Sequence, residues 1–147
     1  EVYRYWRKIG GALMDRIDIR IPVNGSNDVL FRDNAGETPE TSADVRQRVI
    51  RAVEMQRRRF TNNNGVRRNA RMRPIEINCH CPLNIGADRA FRRAAEALVF
   101  SGRAYHSVLK LARTIADLDD RELIEAEHIL EAIQHRRLGD DPYDVLL

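Results

Sequence analysis

A chain of 147 residues, 43% hydrophobic and 32% charged, has the size of one domain with a core of its own. Its net charge is only +3, yet every one of its 25 positive side chains is an arginine except Lys8 and Lys110. No apolar run nears the roughly 18 residues of a membrane span, the start EVYRYWRK lacks the apolar stretch of a secretory signal, and Cys79 and Cys81 stand too close for an ordinary staple, so the expectation is a reduced, cytoplasmic setting without a membrane.

In chain order, Val2, Tyr5, Trp6 and Ile9 recur at helical spacing and predict a short helix before a Gly10-Gly11-Ala12 turn. Ile17, Ile19, Ile21 and Val23 then alternate strictly, as in a half-buried strand, which Pro22 and Asn24-Gly25 bring to a stop. Residues 25–40 are polar and read as a linker loop. Thr41-Ser42-Ala43-Asp44 offers a helix cap, followed by a stripe of Val45, Val49, Val53 and Phe60 with Ala52 beside it. That predicts a helix of about five turns, ended by TNNNG. Pro74 opens a short helix through PIEINCHC. Residues 87–100 carry another apolar face, with Ala90, Phe91, Ala94, Ala95 and Leu98. Ser101 caps a helix over 102–118 that turns Tyr105, Val108, Leu109, Ala112, Ile115 and Ala116 inward. A last helix over 125–137 buries Ile129, Leu130 and Ile133, and an acidic tail, GDDPYDVLL, follows.

A lone strand cannot satisfy its own edges. The expected architecture is therefore mainly α, a bundle of four to five helices preceded by one strand that ends an upstream α/β unit, with a complete helical domain carrying an arm as the alternative. The chain divides into 1–24 (helix, turn and strand), 25–40 (linker), 41–138 (helical domain) and 139–147 (tail).

Three features carry possible chemistry. Asp15-Arg16 sits at the mouth of the strand, where a guanidinium can be both exposed and rigidly aimed; the plain alternative is a surface ion pair worth about 0–1 kcal/mol. Arg103 falls in the first turn of its helix, where a cation opposes the helix dipole; that mild cost suggests contact with an anion, against the plain reading of a solvated arginine. Arg113 stands further along the same helix. The stretch RRRFTNNNGVRRNARMR holds Arg57, Arg58, Arg59, Arg67, Arg68, Arg71 and Arg73 with no acid. It reads as a DNA-backbone contact or as a solvated helix end and loop, and only Phe60 is there to stack on a base. Cys79-His80-Cys81 lacks the second ligand pair of a zinc site and reads as ordinary buried thiols and a histidine. No phosphate-cradling G-x-x-x-x-G-K-[ST] occurs.

The segments GALMDRIDI, VRQRVIRAVEMQRRRF, NARM, SGRAYHSVLKLARTIADL and EHILEAIQHR resemble the carboxy-terminal part of the magnesium-chelatase-like AAA+ ATPases, and within them the bacterial competence group called ComM or YifB. The resemblance runs from about Tyr3 to Leu138. It implies a helical lid that follows an ATP-binding α/β core, in subunits that pack in a ring, expected to be hexameric. It further implies that Arg16, with Asp15 beside it, is an arginine finger acting on a neighbour's nucleotide, and that Arg103 is the second-sensor arginine, with Arg113 a weaker alternative. ATP and Mg²⁺ would be bound by the complete protein only, and the fragment alone would hydrolyse nothing. DNA branch migration during recombination of incoming DNA is the implied process. A magnesium chelatase ATPase subunit and a stand-alone helical DNA-binding module are the alternatives. Where the family pattern reads GPLLDR, this chain has Ala12 for the proline and Met14 for a leucine, which puts the positioning of the finger in question.

Overall fold

The computed structural model describes residues 11–21, 40–61 and 67–137. The expected helix over 2–9, most of the linker, Pro22 and Val23 at the end of the strand, and the tail lie outside the described residues. What is described is helical: α1 (Gly11–Met14), α2 (Ser42–Arg59), a 3-10 turn (Asn69–Arg71), α3 (Pro74–His80), α4 (Ile85–Ala97), α5 (Gly102–Leu118) and α6 (Ala126–Arg137).

The capping chemistry sets these bounds. Thr41 Oγ1 accepts from the Asp44 amide while the Asp44 carboxylate accepts from the Thr41 hydroxyl and amide, and those two bonds, the hydroxyl's the larger, hold the Asp44 carboxyl below its ordinary range. Asn84 and Ser101 cap α4 and α5 by accepting from Ala87 and Ala104. Pro74 occupies the first position of α3, where its missing amide costs nothing, and Glu76 accepts from the Arg73 amide at 2.7 Å. His128 Nδ1 accepts from the Glu125 amide at 2.9 Å, which leaves the ring proton on Nε2, 3.2 Å from Asp119 Oδ2. Both α4 and α5 end by a left-handed residue that lets an amide reach back five residues: Phe100 to the Ala95 carbonyl past Val99, and Arg121 to the Ala116 carbonyl past Asp120.

Helix α5 is the axis of the bundle. It packs against α6, α2, the 3-10 turn and α3, while α4 packs on α6. Val108, Leu109, Ala112, Ile115 and Ala116 of α5 join Phe60, Met72, Ile77, Phe91, Ile124, Ile129 and Ala132 in one buried cluster. A parallel bridge, Leu83 to Ile124, ties the α3–α4 connection to the α5–α6 connection. Ile124 donates to the Pro82 carbonyl and accepts from the Asn84 amide.

Several faces differ from the sequence expectation. Val45, Val49 and Val53 of α2 stay exposed, because α2 meets the bundle through Ala52, Phe60 and Arg59 rather than through its valine stripe. Leu130 is exposed at 59% and Tyr105 at 42%, each on the shoulder of its helix rather than its inner face. Gly11 and Ala12, expected in a turn, are the start of α1. Residues 17–21, expected as a half-buried strand, are irregular in the structure and pair with no strand among the described residues, and Ile17, Ile19 and Ile21 are all exposed, as is Asp18. No helix among the described residues is long and apolar enough to cross a membrane.

Candidate functional site

The amino-terminal end of α5 gathers Asp15 and Arg103. The α1 turn closes with the Arg16 and Ile17 amides donating to the Leu13 and Met14 carbonyls. Asp15 is turned toward the bundle, and its three partners come from two places, the start of α5 and the last turn of α6. Arg136, in the last turn of α6, donates from Nη2 to Asp15 Oδ1 at 2.5 Å and to the Asp15 carbonyl at 3.0 Å. Ser101 Oγ lies 3.3 Å from both carboxylate oxygens. Arg103 Nε donates to the Asp15 carbonyl at 3.2 Å.

The next acid along is held in the same manner. Asp18 accepts from Ser107 Oγ and lies 3.6 Å from Arg136 Nη1. Arg20 donates from its side chain to the Met14 carbonyl and from its amide to the His135 carbonyl, both at 2.9 Å. A cleft of about 450 Å³ opens beside this node, walled by Met14, Asp15, Arg20, Ser101 and Arg136 and by the 98–100 turn. A Cβ added at Gly102 would meet nothing within 4 Å, so the first turn of α5 is open to solvent on that side.

Arg16 does not pair with Asp15. With Asp15 drawn into the bundle, Arg16 is exposed and its guanidinium makes no ion pair among the described residues. The structure thus brings together Asp15 and Arg103 and leaves Arg16 exposed, without a bond to the carboxylate beside it. Sequence reasoning missed Arg136, which stands 121 residues from Asp15. Its local signal was only a cation in the last turn of a helix, where the dipole favours one.

Arg113 stands apart from this node, near the other end of α5. It is fully buried, and each guanidinium nitrogen has a partner: Nε on Asp117 Oδ1 at 3.1 Å, Nη1 on the Glu122 carbonyl at 2.6 Å, and Nη2 on the Arg121 carbonyl. Burial lowers its pKa from the ordinary arginine value. No edge of this guanidinium is open to a ligand. Arg59 belongs to the same network, with both terminal nitrogens on the Asp117 carboxylate at 2.8 and 2.5 Å and a further bond to Asn69 Oδ1. Asn69 completes it by donating to Asp117 and to Thr114.

Of the remaining basic stretch, Arg57, Arg58, Arg67, Arg68, Arg71 and Arg73 are all exposed. Arg73 pairs with Glu76 at 3.1 Å. Arg57, Arg67 and Arg68 line one groove of about 800 Å³ together with Val49, Val53 and Phe60. Cys81 is buried, which pushes its thiol up to about 11, while Cys79 is exposed and His80 sets its ring edge-on to Phe60 at 5.2 Å. Among the described residues no three metal-ligating side chains gather.

Residues 39–136 match the family described as magnesium chelatase, subunit ChlI C-terminal. The chain is 34% identical over 142 residues to the competence protein ComM of Haemophilus influenzae. It is 32% and 30% identical over 138 residues to the proteins YifB of Salmonella typhimurium and Escherichia coli, which are described as uncharacterized. Each alignment takes in 94% of this chain but only 26% of the relative, so the chain spans about a quarter of the length of the proteins it matches.

Proposed function

The chain belongs to the family of magnesium chelatase ChlI C-terminal domains, and we propose that it is the lid and arginine-finger segment of a ComM-type AAA+ ATPase. In this reading an upstream core binds ATP and Mg²⁺, and subunits close into a ring, expected to be a hexamer. The observation that carries the proposal is the separation of Asp15 from Arg16: the acid is held by the bundle while the adjacent guanidinium stays exposed. A residue meant only for a surface ion pair would have used the carboxylate next to it.

The bound nucleotide supplies the phosphoryl group whose transfer spreads negative charge over its oxygens. Arg16 supplies the compensating positive charge from a neighbouring subunit, a contribution worth about 10³ to 10⁵ in rate where such fingers act. Arg103, in the open first turn of α5, adds a second cation from the lid. Its Nε is occupied by the Asp15 carbonyl, which ties the sensor arginine to the finger turn.

The test is ATP turnover by the protein that includes the core. Arg16→Ala is expected to assemble normally and lose turnover. Mixing it with subunits that lack the nucleotide-binding lysine should restore part of the rate, because the intact finger then serves a neighbour's site. Normal turnover by Arg16→Ala would remove the assignment.

A second reading concerns DNA, and the shared groove of Arg57, Arg67 and Arg68 favours it. Each phosphate neutralised would steepen the logarithmic salt dependence of binding by about 0.9. Reversing these three charges should flatten that slope, and an unchanged slope would exclude the groove from DNA contact.

A further inference from the structure

We propose that Arg136 is the positioning residue of the finger turn, gripping Asp15 so that Arg16 leaves the protein in one fixed direction. The proposal rests on the reading of Arg16 as a finger. The turn has little else to hold it. A helix of four residues is too short to persist alone, and Leu13 and Ile17 are exposed at 52% and 38%. Met14 alone of its apolar side chains with described burial is half-buried, and its hydrogen bonds to the bundle come from Asp15.

Among those attachments only Arg136 takes both the side chain and the main chain of Asp15. Ser101 reaches the carboxylate alone and Arg103 the carbonyl alone. The carbonyl of Asp15 belongs to the peptide plane that leads into Arg16, so holding it and the carboxylate together fixes the backbone from which Arg16 projects. Arg136 also stands 3.6 Å from Asp18, on the far side of the Arg16-Ile17 pair, and so bounds the finger from both flanks. The side chain of Arg136 is 9% exposed. Its planar fork is thereby pre-aimed, and a lysine, which offers a point charge on a flexible stem, would not reproduce that geometry.

Two measurements test this. In the chain itself, Arg136→Lys and Asp15→Asn should speed hydrogen exchange of the Arg16, Ile17 and Arg20 amides about tenfold or more, while amides of Val108 to Ala116 stay as protected as before. Unchanged exchange at the turn in both variants would overturn the grip. In the protein that includes the core, Arg136→Lys should lower kcat for ATP by about 10- to 100-fold, the scale of a misplaced reacting group, with KM little changed. In an Arg16→Ala background the same substitution should cost nothing further. An equal additional loss there means that Arg136 acts through general folding and overturns the positioning role. A dead Arg16→Ala beside a fully active Arg136→Lys removes this proposal alone, whereas normal turnover by Arg16→Ala removes the finger reading and this proposal with it.

Discussion

The two ends of α5 carry the same chemical device in opposite surroundings. At its carboxy-terminal end the Asp117 carboxylate is gripped by Arg59 and Arg113; at its amino-terminal end the Asp15 carboxylate is gripped by Arg136, while Arg103 holds the Asp15 carbonyl. The first node is sealed, with the Asp117 and Arg113 side chains at 0% and 1% exposure. The second lies beside an open cleft, with the Asp15 side chain at 37%. In the sealed node every arginine is consumed by the fold. In the open node two acids, Asp15 and Asp18, are held by the bundle, and Arg16 between them stays exposed. An arginine's role here is decided by which carboxylate reaches it first and by whether water reaches that carboxylate.

The comparison breaks most visibly at Asp117. Asp117→Asn keeps the shape but leaves two guanidinium groups without their counter-charge in the interior, and the expected loss is about 3–5 kcal/mol, read from the midpoint of chemical unfolding. A loss under 1 kcal/mol would mean that the node is no more than a surface pair. At the open end the strongest lever on stability is the backbone. Val99 is β-branched, sits at φ 47° and is 85% exposed, so its side chain pays conformational strain without burial. Val99→Gly should raise stability by about 1 kcal/mol, visible as a higher unfolding midpoint. Asp15→Asn is the smallest of the three. The pair it breaks is partly solvated, and the expected cost is about 1 kcal/mol or less. A cost matching that of Asp117→Asn would erase the distinction between the two ends.

The helices were legible because capping residues and apolar spacing are local signals. Thr41, Ser101 and Pro74 each mark a helix start that the structure places within a residue of the expectation. Burial was less legible. The stripe Val45, Val49 and Val53 has the right period for a core face, but period does not say which partner covers it, and among the described residues it stays exposed. The same holds for Ile17, Ile19 and Ile21, which alternate in the sequence and are exposed among the described residues. The two arginine nodes were the least legible of all. Arg59 meets Asp117 across 58 positions and Arg136 meets Asp15 across 121. Only packing tells an arginine bound into the core, such as Arg113, from one left outside, such as Arg16, since both read in the sequence as a basic residue near an acid.

The separation of Asp15 from Arg16 can be observed directly by nitrogen-15 NMR of the arginine Nε–H groups in the 147-residue chain. Slow solvent exchange and restricted motion are predicted for Arg113 and Arg136, and fast exchange with free rotation for Arg16. An Arg16 side chain as protected as that of Arg136 would place it inside the bundle and contradict the account.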